Sequence, residues 1–222
     1  MDITDLKNQE FLISESLKEK EVLLGEIHHR VKNNLAVIDG LIELKKIHIH
    51  DIGNLETLSE VQTRIKIIAL VHEKLYNSEQ FSNINLKDYL TELTNHYVNI
   101  FNKSDGDSVN FKIECQNLNF DISKSITFGL LLNELITNSL KYAIINHKVT
   151  IYISLFLDEE NIVFNYKDEG NGVSEEVKNG KEIGFGYKLI KTFLRQLKGE
   201  LIYTDSKHFD ITVKFNKNSI LK

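Results

Sequence analysis

Residues 26–35 have the sequence EIHHRVKNNL, which places two adjacent histidines, His28 and His29, inside a long heptad pattern. Apolar residues recur around them at steps of 3, 4 and 7: Ile13, Leu17, Leu24, Ile27, Val31, Ile38 and Leu41. This spacing predicts one continuous helix carrying a single apolar stripe, called the heptad stripe below. At roughly 100° per residue, from about 3.6 residues per turn, His29 projects nearly opposite the heptad stripe, and His28 lies beside it.

A histidine on the outer face of a rigid helix is placed to react with a group that is brought to it. An ordinary solvated histidine would occupy the same position, because exposed polar residues commonly do no more than contact water. The helical pattern alone therefore leaves both interpretations of His29 open.

The heptad pattern predicts a helix over residues 3–49, about 70 Å long at about 1.5 Å per residue. Turn-forming residues at 51–54 interrupt the pattern. A second heptad pattern follows: Leu58, Val61, Ile65, Ile68, His72 and Leu75. His72 is interpreted as a core histidine. The two helices, joined by a short turn, are predicted to form an antiparallel helical hairpin. One hairpin cannot bury both apolar stripes, so we expect two copies to pair as a dimeric four-helix bundle.

After Ser82 the hydrophobic periodicity changes. Helices are predicted over residues 86–101, 123–145 and 184–197, and strands over 109–115, 149–157, 162–166, 201–203 and 211–215. Strands with interspersed helices and no clean βαβ repeat predict a mixed sheet with helices over one face. The predicted fold class is therefore α plus α/β, with the hairpin domain at 1–80 and an α/β sandwich at 81–222.

Composition narrows the class of protein. The net charge of −5 argues against nucleic acid or an anionic membrane as the main partner, because both require a basic surface. The single Cys115 excludes an internal disulfide and a cysteine-rich metal site, and the alternating pattern around it predicts a buried thiol. No apolar stretch is long enough to span a bilayer, and no signal peptide is apparent. These features predict a soluble, cytoplasmic protein.

Glu134 and Asn138 lie four residues apart on a predicted helix and therefore on one face, and Lys141 follows three residues later. A carboxylate, an amide oxygen and a cation that face one direction suit a magnesium triphosphate. The same spacing is common on solvated helix surfaces, so it does not decide the matter alone.

Two glycine motifs follow in the sequence: Asp168-Glu169-Gly170-Asn171-Gly172 and Gly184-Phe185-Gly186. An aspartate can accept a hydrogen bond from an exocyclic amine, which favours adenine over guanine. Glycines let the backbone approach a ligand, and free N–H groups at the start of a helix can face phosphate. Either motif alone predicts only a turn, whereas their order after Asn138 predicts a nucleotide site.

The sequence HRVKNNL at 29–35 resembles the phosphoacceptor helix of two-component sensor histidine kinases, in the His-Arg-Val-Lys-Asn subclass related to HWE-type kinases, and residues 64–76 resemble its second helix. The resemblance implies that His29 is phosphorylated from ATP and then passes the phosphoryl group to an aspartate of a response-regulator receiver domain. It also implies a homodimer, although some relatives are monomeric. The heptad pattern runs to the start of the sequence, which suggests that the first helix continues from an upstream sensor domain or that the chain docks to a separate sensor protein. Related kinases use a polar side chain four residues after the acceptor to dephosphorylate regulators, which suggests that role for Asn33. Asn33 could equally be solvated or contact the ATP domain.

The later motifs resemble the N, G1 and G2 boxes of the histidine-kinase ATP-binding domain. The resemblance implies that Asn138 ligates Mg²⁺ and that Glu134 activates either water or the acceptor imidazole. It further implies that residues 173–183 form a short lid. The remaining motif residues are implied to bind ATP: Lys141, Asp168, Gly170, Gly172, Gly184, Phe185 and Gly186. Tyr187 departs from the family pattern, which usually has leucine there.

The sequence therefore predicts an ATP-dependent protein-histidine kinase that uses Mg²⁺. Two rivals remain: a non-catalytic phosphotransfer scaffold and a free-standing ATPase. The intact motifs argue against the scaffold, and Glu134 is the one feature that favours the ATPase.

Overall fold

A computed structural model of the chain describes residues 3–47, 52–76, 83–102, 108–170, 172, 185–204 and 207–221. The chain divides into two compact units, Met1–Ser82 and Asn83–Lys222. No helix among the described residues is long and apolar enough to cross a membrane.

The first unit consists of two helices, α1 (Ile3–Ile47) and α2 (Ile52–Tyr76), as the heptad pattern predicts. The turn predicted at 51–54 is wrong for its last three residues, which form the first turn of α2. N–H groups in a first turn have no partner within the helix, so the glycine and asparagine at 53 and 54 disturb little hydrogen bonding there. The predicted turn at Asp51 and the end of the helix predicted to reach residue 49 lie outside the described residues.

A buried polar contact joins α1 to α2. Gln62 is only 5% exposed, and its Nε2 donates to the Asp39 carbonyl oxygen (3.3 Å) and to Glu43 Oε2 (2.9 Å). Lys46 Nζ donates to Gln62 Oε1 over 2.5 Å. A buried polar group of this kind fixes the register of two helices, because any shift would leave it without partners.

The heptad stripe of α1 stays largely exposed within one chain. Ile27, Ile38 and Leu41 are 54%, 43% and 61% exposed, whereas Leu35 and Ile42 are half-buried. Val31, also in the stripe, is half-buried as well, so the contact with α2 lies along one side of the heptad stripe and leaves the other side exposed.

The second unit combines a five-stranded sheet with helices. The elements that the structure describes in it, in chain order, are β1 (Asn83–Asn85), α3 (Leu86–Phe101), β2 (Ser108–Cys115), β3 (Asn119–Asp121), α4 (Ile122–Tyr142), β4 (Lys148–Asp158), β5 (Asn161–Asp168), α5 (Phe185–Gln196), β6 (Gly199–Tyr203), β7 (Asp210–Asn216) and α6 (Lys217–Ile220). The sheet order is β2-β4-β5-β7-β6; β2 and β4 are parallel and the other pairs antiparallel. The predicted mixed sheet is confirmed.

Asparagine and aspartate side chains cap the start of α3 and α4 in this proline-free chain. Asn85 Oδ1 accepts from the Asp88 N–H (3.2 Å) at the start of α3, and Asp121 Oδ1 accepts from the Ser123 N–H (2.9 Å) at the start of α4. Each side chain satisfies a backbone donor that has no partner within its helix.

The helix predicted to reach Ile145 ends at Tyr142 instead. Ile145 pairs with Lys148 across a tight turn in which Asn146 and His147 have φ of 50° and 65°. Two successive residues with positive φ form the turn type that leads directly into a strand.

One face of the sheet is apolar and the other is polar. On the buried face Phe128 packs edge-to-face against Phe120 (5.6 Å between ring centroids) and Phe164 (5.1 Å). On the other face Asn165 Nδ2 donates to Ser154 Oγ (2.9 Å), and Thr212 Oγ1 donates to Asn165 Oδ1 (2.7 Å). This alternation is that of a two-layer sandwich, with helices on one side of the sheet.

A substitution at Gly199, the first residue of β6, would test this packing. A Cβ there would lie 2.6 Å from Phe215 Cε1 and 2.9 Å from Val213 Cγ1, both on buried residues. We expect Gly199→Ala to lower the free energy of unfolding by about 1–3 kcal/mol, because the added methyl forces the core apart. Urea unfolding would measure the change.

The matched control is Gly40→Ala. A Cβ at Gly40, inside α1, would meet nothing within 4 Å. This variant should be as stable as the parent or more stable by up to about 1 kcal/mol, the helix-propensity difference between alanine and glycine. A Gly199→Ala protein of unchanged stability would contradict the packing described here.

Candidate active site

Helix α4 brings two predicted site residues to the beginning of α5. A Cβ on Gly186 would lie 3.4 Å from Glu134 Oε2 and 3.6 Å from Asn138 Oδ1. Glu134 is buried, with 6% exposed, and Asn138 is half-buried. A larger residue at 186 would occupy the space between the helices where these two oxygens face. The structure therefore brings Glu134, Asn138 and Gly186 together.

Asp168 lies at the end of β5 and is only 3% exposed. Its Oδ2 accepts from Ser139 Oγ (2.5 Å), and its Oδ1 accepts from the Gly170 N–H (2.9 Å). Burial raises the pKa of the Asp168 carboxyl, and these two hydrogen bonds oppose that rise. Each carboxylate oxygen can accept a further hydrogen bond, so Asp168 is a fixed acceptor suited to an amine donor.

Ser139 is a residue that the sequence analysis missed. It follows Asn138 on α4, and its hydroxyl lies 2.8 Å from the hydroxyl of Tyr166 as well as contacting Asp168. The available signal was a serine one turn after Leu135 and Ile136, on the buried side of an amphipathic helix. α4 thus supports both parts of the site, with Asn138 facing α5 and Ser139 facing Asp168.

The turn after Asp168 is closely packed. A Cβ on Gly170 would lie 2.6 Å from Ala143 Cβ, and Gly172 has φ of +73°, which favours glycine. His208 Nδ1 lies 3.0 Å from the Gly170 carbonyl oxygen, and the Asp168 N–H donates to the Phe209 carbonyl oxygen (3.0 Å). Nothing in the sequence indicated His208, because only the pairing of β5 with β7 brings it here.

The contacts of Tyr187 account in part for a tyrosine at the position where the family pattern usually has leucine. Its hydroxyl lies 2.8 Å from that of Tyr203 on β6, and Lys191 Nζ lies 5.2 Å from its ring centroid. Burial is the main cause of the raised pKa of Tyr203. A tyrosine here ties the first turn of α5, next to Gly186, to the edge of the sheet.

The structure gives less information on the remaining predicted residues. Lys141 is exposed in the last turn of α4, and Asn33 is exposed on α1. Phe185 begins α5 and His28 and His29 lie within α1, but the side chains of all three lie outside the described residues, as do Gly184 and the predicted lid at 173–183. The predicted buried thiol of Cys115 is half-buried, and burial raises its pKa to about 11.

The oxygen atoms at the start of α5 fit a magnesium ion. Asn138 offers an amide oxygen, a hard ligand of the kind that Mg²⁺ prefers, and the carboxylate of Glu134 lies close to it. The described part of the chain contains no group of three or more histidine, cysteine, aspartate or glutamate residues that could hold a metal by themselves. Magnesium needs no such group, because it commonly binds one or two protein oxygens together with phosphates and water.

Both parts of the chain match known protein families. Residues 26–101 match the family model described as histidine kinase. Residues 123–219 match the model described as histidine kinase-, DNA gyrase B-, and HSP90-like ATPase. The first range includes His29, and the second includes every site residue from Glu134 to Gly186.

Two curated relatives are histidine kinases by name. Sensor histidine kinase PdtaS of Mycobacterium tuberculosis is 26% identical over 215 residues, which cover 93% of this chain and 40% of PdtaS. Blue-light-activated histidine kinase 2 of Erythrobacter litoralis is 21% identical over 184 residues, which cover 82% of this chain and 53% of that protein. The chain therefore spans only about half or less of the length of these relatives.

Solved structures show the same fold. The histidine kinase domain of an Erythrobacter litoralis blue-light activated histidine kinase superposes with a TM-score of 0.62 at 19% identity, covering 92% of this chain and 96% of that one. Histidine kinase AdeS of Acinetobacter baumannii gives a TM-score of 0.52 at 18% identity, covering 84% and 96%.

Asp168 provides the test of the nucleotide site. Asp168→Asn should raise the dissociation constant for ADP by roughly 10–100-fold, because a hydrogen bond to a buried charged acceptor contributes about 1.5–3 kcal/mol. Since burial raises the pKa of Asp168, affinity in the parent should also fall as the pH is lowered towards that raised pKa, where protonation removes an acceptor. Titration calorimetry would measure both effects.

The control is Glu169→Gln, which removes the same charge one residue away. Glu169 is exposed and accepts a hydrogen bond from Tyr152. The Glu169→Gln protein should bind ADP as tightly as the parent does. Equal binding by all three proteins would show that Asp168 does not contact the nucleotide.

Proposed function

Because this chain carries both the histidine kinase domain and the histidine kinase-type ATPase domain, we propose that it is an ATP-dependent protein-histidine kinase that phosphorylates its own His29. The supporting observation is the convergence of Glu134, Asn138 and Gly186, with the buried acceptor Asp168 held by the same helix, α4. In this proposal, residues 1–80 are the dimerisation and acceptor domain and residues 81–222 the catalytic domain.

Each residue has a proposed role in the reaction. Asp168 accepts from the exocyclic amine of adenine, and Lys141 offsets phosphate charge. A nitrogen of neutral His29 attacks the γ-phosphorus while the bond to the bridging oxygen of ADP breaks, and Glu134 accepts the imidazole proton. Magnesium held by Asn138 would stabilise the charge that develops on the phosphate oxygens. Positioning of the reactants supplies much of the rate, as in other phosphoryl transfers.

A second candidate function is ATP hydrolysis without a protein acceptor. The observation that favours it is the buried carboxylate of Glu134 beside the start of α5, since such a group can also activate water. A non-catalytic phosphotransfer scaffold has less support, because a scaffold does not need the hydrogen-bonded Asp168.

Incubation with γ-labelled ATP distinguishes these functions. The kinase should become labelled, with an acid-labile and base-stable phosphate. His29→Gln should abolish the label, and His28→Gln, its immediate neighbour, should retain some of it. Label that persists in His29→Gln would refute the acceptor assignment, and release of free phosphate without label would favour the ATPase.

We propose that the chain forms a homodimer through α1 and α2. The heptad stripe carries exposed apolar side chains at Ile27, Ile38 and Leu41, which a second copy would cover in a four-helix bundle. The buried contact of Gln62 with α1 is already satisfied within one chain, so the stripe is an apolar surface that this contact does not use.

Light scattering should report twice 25.7 kDa at micromolar concentration. Ile38→Glu should shift the protein towards the monomer, because the dimer would bury the added charge. Ala36→Glu is the control: two residues correspond to about 200° around the helix, so this exposed position faces away from the stripe. A parent protein of monomer mass would contradict the proposal.

We further propose that the phosphoryl group passes to an aspartate of a response-regulator receiver domain and that a sensor domain or protein controls the kinase. Asn33, exposed one turn after His29, would then lie beside the docked aspartyl phosphate and orient an attacking water.

With a phosphorylated cognate regulator, Asn33→Ala should slow kinase-stimulated phosphate release by roughly tenfold, the effect of about 1.4 kcal/mol on a barrier. Labelling of His29 should persist, and Asn33→Gln should retain part of the release activity. Equal loss of labelling and release would instead place Asn33 in the kinase step.

A further inference from the structure

We propose that Tyr97 is a positioning residue for Glu134 and that it acts through the side chain of Asn133. This inference rests on the proposed function, because it concerns the carboxylate assigned there as proton acceptor. Tyr97 belongs to α3, whereas Asn133 and Glu134 are adjacent on α4.

The three side chains form one buried chain of hydrogen bonds. Tyr97, Asn133 and Glu134 are 5%, 3% and 6% exposed. The Tyr97 hydroxyl donates to Asn133 Oδ1, and Asn133 Nδ2 donates to Glu134 Oε1 over 3.3 Å. Buried polar groups are costly unless paired, so this arrangement stabilises one orientation of each side chain.

The Tyr97 hydroxyl and the Glu134 carboxylate together fix which way the Asn133 amide points. Burial raises the pKa of Tyr97, a hydrogen bond with Thr137 opposes this, and the charge of Glu134 adds to it, so the hydroxyl keeps its proton. A protonated hydroxyl that donates to Oδ1 leaves Nδ2 directed at Glu134. The flipped amide would place its oxygen against the carboxylate, where two acceptors repel.

The two carboxylate oxygens of Glu134 therefore have different surroundings. Oε1 accepts from Asn133, whereas Oε2 faces the start of α5, 3.4 Å from the position of a Cβ on Gly186. Asn133 thereby fixes the orientation of the carboxylate in which Oε2 lies on the side of Gly186. A proton acceptor must be held within hydrogen-bond reach of its donor, so this orientation bears directly on rate.

A second tyrosine of α3 shows that burial alone does not create the contact. Tyr89 is fully buried, and among the described residues its hydroxyl has no hydrogen-bond partner. Tyr89→Phe and Tyr97→Phe therefore remove the same atom from the same helix, but only the second change removes a hydrogen bond to α4. This makes Tyr89→Phe a matched control.

Autophosphorylation kinetics test the functional part of the inference. Tyr97→Phe should lower kcat by roughly tenfold, the effect of about 1.4 kcal/mol on the barrier, with the KM for ATP nearly unchanged. Tyr89→Phe should keep the parental kcat. In a Glu134→Gln background, Tyr97→Phe should cause no further loss, because two residues that act in one chain are not additive.

A spectroscopic measurement keeps the test independent of activity. The side-chain amide resonance of Asn133, assigned by its disappearance in Asn133→Asp, should shift in Tyr97→Phe and stay in place in Tyr89→Phe. If the parent fails to label His29, the proposed function fails, and this resonance alone decides the orientation of Asn133.

The inference would be overturned by a parental kcat in Tyr97→Phe, by a further loss when Tyr97→Phe is added to Glu134→Gln, or by an Asn133 resonance that does not move. A decrease in kcat shared equally by Tyr89→Phe would also do so, since it would trace the effect to packing of α3.

Discussion

The second unit depends on burying several polar side chains of α4. Polar side chains inside a protein are tolerated only when hydrogen-bonded. Helix α4 carries Asn133, Glu134 and Ser139 with 6% exposure or less. The Tyr97 hydroxyl donates to Asn133, which in turn donates to Glu134, and Ser139 contacts both Asp168 and the Tyr166 hydroxyl. The positions of α3 and β5 against α4 are therefore specified by hydrogen bonds as well as by apolar packing.

The first unit has the opposite arrangement. Its buried contact between helices includes a polar residue, Gln62, while the apolar residues Ile27, Ile38 and Leu41 remain exposed. A polar contact specifies register within one chain, and an exposed apolar stripe is suited to association with a second one. The hairpin alone is thus well defined in register but incompletely buried.

Much of this fold was predictable, because local patterns determine it. The bounds of α3 agree with the prediction, since Asn85 supplies the cap and the apolar spacing continues to Phe101. The end of α4 was not predictable in the same way, because Asn146 and His147 adopt a positive φ that neither residue requires. The short strands β1 and β3 contain three residues each, too few for any alternation to show.

The site was predictable in its motifs but not in its supporting contacts. Glu134, Asn138 and Asp168 were recognisable because their spacing and order are local properties of the sequence. Tyr97 lies 36 residues from Asn133 and His208 lies 38 from Gly170, so these contacts exist only once α3, α4 and the sheet have packed. No local pattern encodes such pairs.

The geometry of α4 also separates two functions of the site. Ser139 supports Asp168, where adenine is proposed to bind, while Asn133 supports Glu134, which faces Gly186, where the phosphates are proposed to bind. Both supports lie on one rigid helix and are six residues apart, about 9 Å at roughly 1.5 Å per residue. Changes at Ser139 should therefore act mainly through nucleotide affinity, whereas changes around Asn133 act through the transfer step. A single helix can hold both ends of a nucleotide at a fixed separation and still allow each end to vary independently.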